Sequence, residues 1–190
     1  MTTLLLIRHG HYLGQKEPHP DLDPDNSLDD LGRSQIEALT ARLKGETIKI
    51  VLTSQLKRAR ESGEIISKEL HLPIESTAVL NELGFFIKPQ EIMTFERDEE
   101  KYKQALKDLQ AASQRAVQFL KEISTKHWGE TVAVVCHGNI IRAIIGQALK
   151  SEIETGIRMQ VDLASLSILE YDGGDLFRLI KLNDTSHLED

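Results

Sequence analysis

Three short apolar runs, Leu4 to Ile7, Ile48 to Leu52 and Thr131 to Cys136, constrain this chain more than anything else in it. Successive residues of a strand face opposite sides of a sheet, so a run that is apolar at neighbouring positions has to be covered on both faces. Helical spacing fills the gaps between the runs. Ser27-Leu28-Asp29-Asp30 resembles a capping box, Ile36, Leu39 and Leu43 continue it, and Gly45 closes that helix. Leu56 to Leu70 is helical and Pro73 stops it; Ile74 to Leu80 reads as a third strand. Arg97 to Lys126 is a long amphipathic helix or helix pair with a stripe of Tyr102, Leu106, Leu109, Ala116, Leu120 and Ile123. Asn139 to Leu149 is a further helix. Near the end, Leu166 and Ile168 alternate with polar residues, Asp172-Gly173-Gly174-Asp175 makes a turn, and Leu176 to Leu182 runs on as the second arm of a hairpin. Strands alternating with helices predict an α/β fold: a three-layer α/β/α sandwich whose mixed, mostly parallel sheet ends in a C-terminal antiparallel hairpin. One domain over residues 1–190 is expected, with a small helical cap at about 85–127.

With 190 residues and 40% hydrophobic content, the chain can bury a proper core. A formal net charge of -7 argues against nucleic acid or an anionic membrane as the general partner, while leaving room for a local cationic pocket. Cys136 is the only cysteine, so no intramolecular disulfide or zinc-finger spacing exists. It reads as a core thiol, because its strand neighbour His137 points to the other face. No apolar stretch approaches a membrane span and no secretory signal precedes the first strand, so the expected setting is cytoplasmic. Dimerisation or a larger assembly stays open.

Chemistry-bearing residues recur where predicted elements end. Arg8 and His9 follow the first strand, Thr53 to Ala59 follows the second with Arg58 in the first helical turn, Asn81-Glu82 follows the third, and His137-Gly138-Asn139 follows the later strand. If those strands are parallel neighbours, all four pieces meet on the carboxyl rim, where open α/β sheets bind ligands. Arg8 and Arg58 can grip a phosphate dianion with forked, charge-assisted hydrogen bonds. A helix opening at Gly138 and Asn139 adds anion-favouring amides. A neutral His9 is a nitrogen nucleophile for phosphorus, and nearby guanidinium charge helps keep it neutral. His137 can donate to a phosphoryl oxygen, and Glu82 can protonate a leaving alkoxide and then activate water. The arginines supply the positive charge, so neither metal nor cofactor is required.

Arg8-His9-Gly10, Ser54 through Arg58-Ala59, Leu80-Asn81-Glu82 and His137-Gly138 together resemble the histidine phosphatases of the phosphoglycerate-mutase-like superfamily. Leu28-Asp29-Asp30-Leu31-Gly32-Arg33-Ser34-Gln35 is similar to a helix opening of that family. The resemblance implies a phosphohistidine at His9, a proton donor at Glu82, and a substrate-binding set of Arg8, Gly10, Arg58, His137 and Gly138. Within the superfamily the likeness is closest to the branch of the mitochondrial serine/threonine protein phosphatase, through His11-Tyr12, His137 to Arg142 and Leu182-Asn183-Asp184-Thr185. One departure stands out. Where many members carry Ser or Thr and then Asn, this chain reads His11-Tyr12-Leu13-Gly14-Gln15.

Plainer readings compete at several positions. An Arg-His-Gly triplet alone occurs by chance, and Arg58 or Glu82 alone could be a surface cation or a loop carboxylate; the ordered set after successive strands is what carries specificity. Asp21, Asp23 and Asp25 alternate like a calcium loop, but Asn26 and Gly32 occupy its glycine and glutamate positions, so a solvated loop is expected. His11 and His19 lack evident metal partners. Trp128 is expected to anchor a helix end. The expected activity is metal-independent hydrolysis of a phosphoprotein or a small phosphorylated metabolite. A mutase-type phosphoryl transfer and a non-catalytic phospho-ligand-binding module of the same fold are the alternatives.

Overall fold

The apolar runs become the centre of a sheet. The computed structural model describes residues 1–13, 26–82 and 99–188. Its strands are β1 (Thr2–Arg8), β2 (Ile48–Ser54), β3 (Ile74–Thr77), β4 (Thr131–Cys136), β5 (Leu166–Tyr171) and β6 (Phe177–Asp184), in the order β3-β2-β4-β1-β5-β6. β1 pairs in parallel with β4, β4 with β2, and β2 with β3; β5 runs antiparallel to β1 and to β6.

Alternating residues of the central strands serve different layers. Leu4, Leu6, Val132 and Val134 pack with Ala112, Ala116, Leu120, Ile140, Ile141 and Ile144. Leu5, Ile7, Ala133 and Val135 pack on the other face with Ile36, Leu39, Leu43, Ala59 and Ile66. The first set belongs to α3 (Glu99–Lys126) and α4 (Gly138–Ala148), the second to α1 (Asp30–Leu43) and α2 (Lys57–Leu70). The result is the expected three-layer sandwich. Fully burying each such aliphatic side chain contributes about 1.5–3 kcal/mol before entropy is counted. Among the described residues, no helix is long and apolar enough to cross a membrane.

This layering decides where a ligand can sit. β1 is followed by a helix on one face, and its neighbour β4 by a helix on the other. The chain therefore leaves two adjacent carboxyl ends in opposite directions and opens a crevice between them.

Local details depart from the sequence reading. Helix α1 is capped by Asp29, whose Oδ1 accepts from the Gly32 amide at 2.9 Å, and not by Ser27. An antiparallel bridge between Tyr12 and Leu28 occupies the backbone there and delays the helix by two positions. β3 ends at Thr77, three residues early, because the Thr77 hydroxyl accepts from the Val79 amide and tightens Ala78–Leu80 into a 3-10 turn. A short helix α5 (Ile153–Ile157) was not expected; Gly156 lets it pack closely, since a Cβ there would stand 2.7 Å from the Arg142 carbonyl oxygen. Trp128 is half exposed, and its ring lies against Gly173 in the β5–β6 turn. Over Glu99–Lys126, the predicted helix or helix pair is one continuous helix. Asp21, Asp23, Asp25, His19 and Gln15, with most of the segment before Glu99, lie outside the described residues.

Candidate active site

The carboxyl rim of β1, β4, β2 and β3 gathers the predicted residues. The peptide after β1 is held by both neighbours: His9 donates its amide to the Cys136 carbonyl at 3.0 Å, and its own carbonyl accepts from Ala164 at 3.1 Å. The turn that follows lies against the start of α1. A Cβ at Gly10 would stand 2.5 Å from the Gly32 carbonyl oxygen, and one at Gly32 would stand 1.9 Å from that of His11. Only glycines fit this approach, which accounts for Gly32 in the helix-opening stretch. The His11 ring pairs with Asp29, whose carboxyl burial raises, while the Gly32 amide and His11 outweigh it and pull it below its ordinary value.

His9 is 2% exposed, Arg58 5% and His137 0%. Arg58 Nε donates to His9 Nε2 at 3.2 Å, and His9 Nδ1 lies 2.8 Å from the Gly10 carbonyl oxygen. A guanidinium can only donate and a carbonyl can only accept. The proton of His9 is therefore on Nδ1, and Nε2 holds its lone pair toward the cation. Burial first, then His137, Arg8 and Arg58, hold the pKa of His9 well below its ordinary value. That of His137 is depressed in the same direction by burial and then by Arg58 and Arg8. Both rings are neutral near pH 7, and they stand 5.0 Å apart between centroids.

Arg8 leaves β1 toward α4 and lies against Gly138, where a Cβ would be 3.3 Å from Cζ. Its Nη1 donates to the Val161 carbonyl at 2.7 Å, while its buried Nε has no partner among the described residues. Glu82 accepts from the Asn139 amide at 3.4 Å and faces two guanidiniums, those of Arg8 and Arg142. Arg142 is fixed by the Met159 carbonyl at 2.7 Å and by Asn139 Oδ1 at 3.0 Å. Gly10 has both backbone groups committed: its amide donates to Ser62 Oγ, and its carbonyl receives His9. Burial holds the Cys136 thiol protonated, as a core thiol should be. Among the described residues, no cluster of three or more His, Cys, Asp or Glu side chains is arranged to hold a metal ion.

A profile of the histidine phosphatase superfamily (branch 1) matches residues 4–185. The chain belongs to that superfamily. Phosphoglycerate mutase-like protein 4 of Arabidopsis thaliana is 28% identical over 204 residues, covering 98% of this chain and 87% of the relative. The mitochondrial serine/threonine-protein phosphatase Pgam5 of Drosophila mojavensis is 30% identical over 198 residues, covering 97% of this chain and 64% of its own length. The solved structure of Bacillus stearothermophilus YhfR superposes with a TM-score of 0.80 at 25% identity, covering all of both chains. The expected enzyme class, a histidine phosphatase, and the expected fold both stand.

Several residues around the site of this histidine phosphatase received no role from sequence. Tyr12 places its ring edge-on to His9 at 5.4 Å, and Arg58 Cζ lies 4.9 Å above its centre. Arg58 is thus held between the His9 nitrogen and an aromatic face. Ser54, Asn81 and Arg142 sat inside recognised motifs, and only the strand order reveals their partners. Tyr12→Ala is expected to raise KM for p-nitrophenyl phosphate by about three- to tenfold, the size of a partly desolvated cation–π contact. Tyr12→Phe keeps the aromatic face and should stay within about twofold. Steady-state kinetics on the pair checks this, and equal losses in both would put the effect on the hydroxyl instead.

The far end of the chain supports the same rim. Asn183 donates its side-chain amide to Asp162 Oδ2 at 2.7 Å and accepts the Asp162 amide at 2.6 Å. His187 donates to the Ala164 carbonyl at 3.0 Å. The loop they hold, Val161 to Ser165, supplies the Val161 carbonyl to the Arg8 side chain and the Ser165 carbonyl to the Arg8 backbone amide.

Proposed function

We propose that this histidine phosphatase hydrolyses phosphomonoesters without a metal, through a phosphohistidine on His9, and that it acts on a phosphoprotein or a small phosphorylated metabolite. The observation that carries the reading is the Arg58–His9–Gly10 arrangement, which leaves Nε2 unprotonated in a cationic, buried setting. In the first step Nε2 bonds to phosphorus, the bond to the leaving oxygen breaks, and Glu82 as the carboxylic acid protonates that oxygen. In the second, water attacks phosphorus, Glu82 as the carboxylate takes its proton, and the P–N bond breaks to release phosphate and His9. Arg8, Arg58 and His137, with the amides at the α4 N-terminus beside Gly138, bind the phosphoryl oxygens and stabilise the charge that moves onto them. Gly10 orients the nucleophile.

The reading takes residues 1–190 as one domain with a small helical cap at about 85–127, of which residues 85–98 lie outside the described residues. Packing of Leu109 with Ala143 and Ile157 supports this, because it puts α3 beside the helix that opens at Gly138. It also takes the setting as cytoplasmic, supported by a single cysteine that is a buried free thiol; the Drosophila mojavensis relative is named as mitochondrial.

Release of p-nitrophenol from its phosphate ester should persist in the presence of chelator. Glu82→Gln should slow hydrolysis of alkyl phosphates by about a hundredfold or more, the range of general-acid catalysis. Its effect on p-nitrophenyl phosphate should be much smaller, because that leaving group departs without a proton. Equal losses with both esters would remove the general-acid role, and phosphate binding without any turnover would favour a binding module.

A further inference from the structure

We propose that Ser54 and Asn81 are positioning residues that fix the proton of His137 on Nε2, so that the bound phosphoryl group must share one additional proton with Nδ1. Backbone and side-chain partners settle each atom in turn. The Gln55 amide donates to the Asn81 side chain at 2.8 Å, so the atom it meets is the oxygen, Oδ1. Ser54 Oγ lies 2.9 Å from that same oxygen, which can only accept, so the single hydroxyl proton of Ser54 goes to Asn81. Ser54 Oγ also accepts from the Leu56 amide at 3.1 Å. His137 Nε2 stands 2.8 Å from Ser54 Oγ, whose proton is already committed; the imidazole has to be the donor. A neutral His137 then carries its lone pair on Nδ1. That atom is buried and has no partner among the described residues.

A lone pair cannot donate to a phosphoryl oxygen, and set against one it repels. With Nε2 held by Ser54, the ring can donate to an anion only when Nδ1 is protonated too. The ester therefore binds either as its monoanion, placing its proton between oxygen and Nδ1, or as the dianion together with a proton from solvent. Ser54 and Asn81 do not touch the reacting atoms. They act through His137, from the end of β2 and the loop after β3.

The inference takes the anion to be phosphate from the proposed phosphatase reading, and its test does not need turnover. Nitrogen-15 NMR of the His137 ring in the wild-type protein should show a protonated Nε2 and an unprotonated Nδ1. Saturating inorganic phosphate should convert Nδ1 to the protonated form. Asn81→Leu removes the acceptor, so Ser54 can turn its proton toward Nε2; the ring should populate the other tautomer, and kcat for p-nitrophenyl phosphate should fall by about tenfold, the scale of one lost buried hydrogen bond. Asn81→Asp keeps an oxygen for both donors and should restore the wild-type spectrum and most of the rate. A wild-type ring with its proton on Nδ1 before phosphate is added would overturn the proposal, as would Asn81→Leu and Asn81→Asp spectra that do not differ. If the spectra behave as expected while no p-nitrophenol is released, the phosphatase reading fails and the positioning role stands.

Discussion

His9→Ala is expected to lower kcat with p-nitrophenyl phosphate by about ten-thousandfold or more, as removal of a nucleophile does elsewhere. The variant should also fail to form an acid-labile phosphoryl adduct in rapid-quench experiments with radiolabelled ester. Phosphate binding should survive, because Arg8 and His137 are positioned by contacts that His9 does not make, the Val161 carbonyl and Ser54, and Arg58, which loses its contact to His9, keeps the Tyr12 ring. That combination, silence in turnover with retained binding, separates loss of chemistry from loss of fold. Turnover at the wild-type rate would mean that phosphorus is attacked by something other than this ring.

The second large effect belongs to Arg58. Arg58→Ala removes a buried cation whose Nε contacts the nitrogen proposed to attack phosphorus, and kcat/KM for p-nitrophenyl phosphate should fall by about a hundred- to a thousandfold, the scale seen when one preorganised donor is lost. A second signature follows from electrostatics. Arg58 is among the groups that depress the pKa of His9, after burial, His137 and Arg8. Without it the folded-state value rises back toward that of a free imidazole, near 6.5. The nucleophile is then protonated, and inert, at a pH where the wild type is still active. The acid limb of the kcat/KM profile should move to higher pH. Arg58→Lys keeps a positive charge without the planar fork, so it should recover part of the limb's position and little of the rate. A rate loss with no displacement of the limb would separate Arg58 from control of His9.

Much of this was readable from residue order. Periodicity alone separates the two-faced strands at Leu4 to Ile7 and Thr131 to Cys136 from the one-faced helices at Ile36 to Leu43 and Ala116 to Ile123, because burial on both sides leaves a different trace from burial on one. The rim residues were legible for a related reason. Each of Arg8, His9, Arg58, Glu82 and His137 stands at or just after the end of an element, and parallel strands bring such ends together. What escaped were features set by neighbours far away in sequence. Ser27 and Asp29 are both good caps, and the Tyr12–Leu28 bridge chooses between them. Ser54, Asn81 and His137 meet only because β2 lies between β3 and β4. The Tyr12 ring over Arg58 depends on how the turn after Gly10 folds back toward α2, which no local spacing records.

The tie between Asp162 and Asn183, with His187 beside it, has a consequence for biosynthesis. Ribosomes extend the polypeptide from its amino end, so the side chains proposed to handle phosphorus all emerge well before residue 183. The loop that steadies Arg8 and the His9 backbone is tied down in part by the stretch from Asn183 to His187. A translation intermediate that stalls short of that stretch carries the reactive groups without those ties, and the loop gains them only once Asn183 and His187 have left the exit tunnel.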